Sequence, residues 1–156
     1  MRTAVLTIST SVSRREAEDE SGPLLARLAE EAGCDVEAME VVPDDYALIE
    51  DRLHNYVDAG VRFIFTTGGT GMTPDDITPE ATAAVIERPA PGFAEALRHT
   101  PMGVLTRGIS GIAKRTLIVN LPGSPKAVGE LFGVLAPTLR HVADTLGHER
   151  GRSAGH

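Results

Sequence analysis

Three stretches of the sequence carry residues whose types and spacing can do chemistry. Residues 42–45 read VPDD, residues 66–81 read TTGGTGMTPDDITPEA, and residues 120–128 read NLPGSPKAV. Each follows an apolar, β-branched run, so each is a loop at the carboxyl end of a strand. Glycines at such a turn permit positive φ and let backbone N–H groups approach an anion, while the helix that follows adds its dipole. Phosphate is the ligand this chemistry favours. Gly69-Thr70-Gly71 is followed by Met72, Thr73 and Pro74, so neither the dinucleotide GxGxxG nor a phosphate loop ending in GK[ST] is present. A bare GGTG is also compatible with a tight turn that holds nothing. The second loop, with Ser124, Pro125 and Lys126 at a helix start, adds weight to phosphate.

Asp44–Asp45 and Asp75–Asp76 pair carboxylates in two of these loops. One aspartate of each pair serves as a helix cap or solvated turn residue. The other is free to hold a hard cation such as Mg²⁺, which takes one or two carboxylates together with substrate phosphate oxygens. Without that cation, carboxylates beside a phosphate site would repel the substrate. The charges available to meet phosphate are Arg14, Arg15, Arg107, Lys114, Arg115 and Lys126. Lys126 stands out because a cation in the first turn of a helix opposes the dipole unless an anion is bound. The five histidines show no metal-ligand spacing, Cys34 is a lone cysteine that opens a strand, and no GxSxG elbow is present.

These loops need elements to position them. Residues 3–9 alternate and form a first strand, followed by a polar stretch to residue 20. Ser21 looks like the N-cap of a helix bearing Leu24, Leu25, Leu28, Ala29 and Ala32, which stops at Gly33. Residues 34–42 form a second strand closed by Pro43. Asp44 or Asp45 caps a helix carrying Leu48, Ile49, Leu53 and Val57. Residues 61–67 form a central buried strand. Thr78 caps a third helix with Pro79 at its first position, and a short helix covers residues 93–99. Strands are expected at 103–106 and 116–121, around a glycine-bearing connection. The last helix runs from Ser124–Pro125 towards Leu146, kinked at Pro137. Strands alternating with helices predict an α/β fold, three layers α/β/α with a mostly parallel central sheet.

The 156 residues fit one domain, expected over 1–147, with residues 148–156 a flexible C-terminal tail. Fifteen Lys and Arg against 22 Asp and Glu leave a net charge of −7, and aromatic residues make up only 4%. Nucleic acid is a poor partner for such a surface. No apolar run approaches the roughly 20 residues of a membrane span, and residues 1–10 are apolar too briefly before Arg14 and Arg15 to be expected to act as a signal peptide. A cytoplasmic protein is expected.

Residues 66–82 and 120–128, together with Asp19, Ser21, Gly22, the Pro43–Asp44 turn and Pro91-Gly92-Phe93, closely resemble the MoaB/Mog family of molybdenum cofactor biosynthesis. The resemblance covers nearly the whole chain in order. It implies a molybdopterin-binding fold assembled as a homotrimer or homohexamer. In the Mog branch it implies adenylyl transfer, in which molybdopterin and Mg-ATP give adenylyl-molybdopterin and pyrophosphate. It places the two functional, Mg²⁺-holding aspartates on Asp44 and Asp76. It puts the nucleotide and phosphate loop on Thr67, Gly68, Gly69, Thr70 and Gly71. Molybdopterin binding falls on Ser21, Gly22, Gly123, Ser124, Pro125 and Lys126. The nucleophile would be the substrate's own phosphate monoester, ionised near neutrality with a second pKa of roughly 6, so no general base is needed. Two positions depart from the family: Asp75 stands where an arginine is common, and Thr10 follows Ser9 where an aspartate is common. The first departure favours an alternative, a MoaB-type paralogue that binds the pterin without transferring adenylate. A nucleotide-processing enzyme built on the same domain is a more distant reading.

Overall fold

The structure, a computed structural model, describes residues 1–149. In chain order the elements are β1 (Arg2–Ile8), α1 (Thr10–Ser13), α2 (Ser21–Glu31), β2 (Asp35–Val42), α3 (Tyr46–Asp58), β3 (Phe63–Thr67) and α4 (Thr78–Ala83). There follow β4 (Arg88–Pro89), α5 (Pro91–Leu97), a 3-10 turn (Gly103–Leu105), β5 (Ser110–Ala113), β6 (Thr116–Leu121), α6 (Pro125–Leu135) and α7 (Leu139–Leu146). The sheet order is β2-β1-β3-β6-β5-β4. Strands β2, β1, β3 and β6 are parallel, β5 runs antiparallel to β6, and β4 pairs antiparallel with β5.

Side-chain alternation along the strands builds the layers. Val5, Phe63, Phe65, Leu117 and Val119 point to one face, under Leu25 and Ala29 of α2 and Val128, Leu131 and Phe132 of α6. Phe65 meets Phe132 edge-on at 5.3 Å. Ala4, Leu6, Ile64 and Ile118 point to the other face, under Ile49, Leu53 and Val57 of α3 and Ala81 just before the end of α4. This is the three-layer α/β arrangement with a mostly parallel sheet. The chain leaves β1 towards β2 on one side and returns to β3 on the other. The carboxyl ends of β1 and β3 therefore flank a topological switch point, where open α/β sheets bind ligands.

Several local expectations change. Residues 103–106 are not a strand: Gly103–Leu105 form a 3-10 turn that pairs with no strand among the described residues, with Val104 73% exposed and Leu105 48%. The strand is β5, inside the connection read as a loop, where Ser110, Gly111 and Ala113 are small enough to pack under neighbouring elements. Ser21 does not cap α2. That work falls to Asp19, whose Oδ1 accepts the Gly22 N–H at 2.9 Å while Oδ2 accepts Thr7 Oγ1 at 2.9 Å. Thr78 does not cap α4 either, because its hydroxyl donates to the Gly68 carbonyl at 3.0 Å. Asp45, not Asp44, caps α3 by accepting the Leu48 N–H. The kink at Pro137 appears as a 3-10 turn, Ala136–Thr138, between α6 and α7. The expected tail lies, from residue 150 onward, outside the described residues.

One buried polar knot holds the antiparallel edge to the parallel sheet. Asn120 of β6, 1% exposed, donates through Nδ2 to Thr66 Oγ1 and Thr82 Oγ1, both at 3.0 Å. Its Oδ1 accepts the Ile109 N–H at 3.2 Å. Asn120→Ala strands that N–H and leaves a void, so a loss of about 2–3 kcal/mol is expected in chemical denaturation. A loss under about 0.5 kcal/mol, the range of neutral surface changes, would mean the knot is dispensable.

Candidate active site

The loops following β1, β2, β3 and β6 converge on the switch point and enclose two adjoining pockets. The first, about 340 Å³, is walled by Ser9, Glu18, Asp19, Glu20, Ser21, Asp44, Thr67 and Gly68. The second, about 570 Å³, is walled by Thr70, Gly71, Met102, Leu105, Ser124, Lys126 and Leu131. Gly69, Asp76 and Gly123 border both and form the rim between them. The first pocket is acidic, and the second is mostly apolar with Lys126 and Glu130 on its wall.

The glycine loop is organised peptide by peptide. The Gly68 carbonyl accepts Thr78 Oγ1 at 3.0 Å, and the Gly69 carbonyl accepts the Thr78 N–H at 3.1 Å. The Thr70 carbonyl accepts the Arg107 N–H at 2.8 Å, and the Gly71 carbonyl accepts Arg107 Nε at 2.8 Å. In a trans peptide the N–H points opposite to the C=O. The partners of those carbonyls are the N–H groups of Gly69, Thr70, Gly71 and Met72, and among the described residues none of them donates to an acceptor in the chain. Four consecutive peptides thus have their carbonyls engaged and their amides open. Gly68 and Gly69 make the turn at φ +100° and +68°. Gly68 lies so close to β1 that a Cβ would stand 2.2 Å from the Ile8 carbonyl oxygen.

Asp44 and Asp76 are held against this loop by matching bonds. Asp44 Oδ2 accepts the Thr10 N–H at 3.1 Å and Thr10 Oγ1 at 2.9 Å, and the Asp44 N–H returns to Thr10 Oγ1 at 3.0 Å. Asp76 Oδ2 accepts the Thr73 N–H and Thr73 Oγ1, both at 2.9 Å. In each carboxylate no hydrogen bond among the described residues ends on Oδ1. Asp45 and Asp75 are exposed. No group of three or more His, Cys, Asp or Glu that could hold a metal occurs among the described residues. Two carboxylates with one oxygen each uncommitted, bordering one pocket beside open amides, fit Mg²⁺, which completes its shell with substrate phosphate and water.

The residues assigned to molybdopterin by resemblance are not all in one place. Ser21 lines the acidic pocket, Ser124 and Lys126 line the apolar one, Pro125 borders the first, and Gly123 joins them. Ser124 caps α6 through the Ala127 N–H, so Lys126 sits in the first turn as expected. Gly22 walls neither pocket and is buried, with no room for a Cβ between Thr7 Oγ1 and Asp19. Sequence reasoning missed Thr10, Thr78 and Arg107. The first two are hydroxyls that open the short helices α1 and α4, Thr78 reading from the sequence only as a helix cap, and the third reads as a charge free for phosphate. Instead its guanidinium binds the Gly71 and Asp76 carbonyls and the Glu80 carboxylate.

The shifted ionisable groups lie elsewhere. The bond to Arg2 lowers the Glu37 carboxyl and the bond to Lys114 lowers that of Asp58. Both pairs stand at the amino ends of the strands, away from the site. Burial raises the Cys34 thiol and, aided by the bond to Glu40, the Tyr56 phenol. No helix among the described residues is long and apolar enough to cross a membrane.

A family model described as a probable molybdopterin binding domain matches residues 4–141. The molybdopterin adenylyltransferase of Haemophilus influenzae is 36% identical over 156 residues, 95% of this chain and 76% of that protein. The Drosophila melanogaster molybdenum cofactor synthesis protein cinnamon is 39% identical over 152 residues and 93% of this chain. The chain spans 25% of the length of cinnamon and 47% of the molybdenum cofactor biosynthesis bifunctional protein of Chlorobaculum tepidum. Among solved structures, the molybdopterin biosynthesis enzyme MoaB from Thermus thermophilus superposes with a TM-score of 0.89 at 38% identity, covering 93% of this chain and 95% of the other. The molybdopterin biosynthesis Mog protein from Mycobacterium ulcerans superposes at 0.87 with 39% identity, covering 93% and 98%. With its switch-point crevice, its glycine loop and a family match over nearly its full length, the chain belongs to the MoaB/Mog family of molybdopterin-binding domains.

Proposed function

We propose that the chain adenylylates molybdopterin with Mg-ATP in molybdenum cofactor biosynthesis, releasing pyrophosphate. The observation that carries this is the run of open amides that starts at Gly69, on the rim the two pockets share, and continues through Thr70 and Gly71 along the wall of the apolar one. One pocket for each substrate, with phosphate-binding amides where they meet, suits a reaction that joins two phosphates. In this step a phosphate oxygen of molybdopterin attacks the α-phosphorus of ATP, and the bond to the β-phosphate breaks. Charge balance needs no proton transfer, which agrees with a site that holds no Ser/His or Cys/His pair. The open amides orient the phosphates and spread their charge, and Lys126 adds a cation from the α6 side. Asp44 and Asp76 would hold Mg²⁺, whose charge neutralises the leaving pyrophosphate. Molybdopterin names in the relatives support this substrate.

A second reading, a MoaB-type domain that binds the pterin without transfer, draws support from Asp75, which is exposed and offers negative charge beside the loop. The test supplies molybdopterin and Mg-ATP and follows pyrophosphate. Release well above that of Asp76→Asn supports transfer. Release no higher than that variant's, with pterin still bound, supports the second reading. Assembly as a trimer or hexamer belongs to the same proposal, and light scattering that shows a stable monomer would count against it.

A further inference from the structure

We propose that Arg107 is the positioning residue that presents the glycine loop to polyphosphate, an inference that rests on the phosphate role proposed above. It reaches the loop from the connection between the 3-10 turn and β5, 36 residues along the chain from Gly71. Its own N–H binds the Thr70 carbonyl at 2.8 Å, and Nε binds the Gly71 carbonyl at 2.8 Å. Nη2 binds the Asp76 carbonyl at 2.5 Å, and Nη1 binds Glu80 Oε1 at 2.7 Å. One residue thereby grips both ends of the loop and the first turn of α4.

The grip has a direction. Arg107 is absent from the walls of both pockets, whereas Thr70, Gly71 and Asp76 line them. Drawing the Thr70 and Gly71 carbonyls to Arg107 turns the Gly71 and Met72 amides away from it, because the peptide is planar and trans. The same pull on the Asp76 carbonyl sets the backbone from which the Asp76 carboxylate projects. A cation that binds carbonyls so that amides face a ligand acts without touching the ligand. The planar fork meets these three acceptors from three separate nitrogens spread over one plane, a span that an ammonium, with its three donors on a single nitrogen, does not reproduce. Glu80 completes the arrangement by holding Nη1 at 2.7 Å, which fixes the plane of the fork.

The test compares wild type with Arg107→Gln and Arg107→Lys, using ATP and inorganic pyrophosphate as probes in titration calorimetry. Amide hydrogen exchange is followed in parallel. Losing charge-assisted bonds that order the loop should weaken both probes about tenfold in Arg107→Gln. Exchange at the bonded amides of Thr73, Asp76 and Thr78 should rise about tenfold, with β1 and β3 unchanged. Arg107→Lys should behave like Arg107→Gln. Wild-type affinity and exchange in both variants would overturn the role, and so would full recovery in Arg107→Lys, which would reduce Arg107 to a bulk cation. A rise in exchange spread over β1 and β3 would also overturn it, as global destabilisation. If wild type bound neither probe while exchange still rose locally in the variants, the anchoring role would stand and the polyphosphate role would fall.

Discussion

Gly68→Ala is expected to lose roughly 2–5 kcal/mol of stability, from the cost of an alanine at positive φ and from overpacking against a rigid neighbour. The residue adopts φ +100°, and the new Cβ would stand 2.2 Å from the Ile8 carbonyl oxygen. That oxygen belongs to the main chain of β1, which is paired on both sides by β2 and β3 and has no rotamer to change. The loop must therefore move, and it carries with it the Gly68 carbonyl bonded by Thr78 and the amides beyond. Affinity for pyrophosphate should fall by at least tenfold at temperatures where the variant is still folded. Gly129→Ala is the matched control. It lies within α6 with nothing within 4 Å of its Cβ position, and should gain about 0.5–1 kcal/mol from helix propensity. Thermal unfolding of the two variants decides it. If Gly68→Ala lost no more than an ordinary surface change, about 0.5 kcal/mol, the close approach of loop to strand would not be a constraint on the fold.

What could be read from the residues depended on how far apart the interacting groups lie in the chain. The β3 strand followed by Gly68 and Gly69 was legible because a β-branched, aromatic run ending in glycines is a local pattern. Val104 and Leu105 misled for the same reason: a short apolar run is a local pattern, and in the fold this one is an exposed 3-10 turn that pairs with no strand among the described residues. The strand at Ser110–Ala113 was hidden by its small residues, one of which, Gly111, sits where a Cβ would collide with Ile86. Thr10 and Asp44 are 34 residues apart, and Arg107 and Gly71 are 36 apart. No spacing rule reports that a hydroxyl will hold a carboxylate or that a guanidinium will bind carbonyls instead of phosphate. The candidate ligands for phosphate and metal were therefore readable as types, while the groups that aim them required the fold.

Asp76→Asn should lower pyrophosphate release about 100- to 1,000-fold, the range seen when one electrostatic stabiliser is removed from a preorganised site. The fold should survive, because the asparagine carbonyl can take the place of Oδ2 and accept the Thr73 N–H and hydroxyl. Its amide nitrogen then stands where Oδ1 stood, offering protons where a cation needs an electron pair. Asp44→Asn should act in the same direction, with its carbonyl kept on Thr10. Loss of activity alone does not separate cation binding from simple positioning, but the sign of a second measurement does. Without Mg²⁺ each carboxylate repels a polyphosphate. Removing one charge a few ångströms away in partly solvated surroundings relieves about 1 kcal/mol or more. Asp76→Asn should then bind Mg-free ATP several-fold tighter than wild type and Mg-ATP more weakly. Titration calorimetry with and without EDTA reads both. If the variant weakened the two forms equally, Asp76 would be orienting the loop through Thr73 without holding a cation, and the acidic pair would owe its place to local hydrogen bonding.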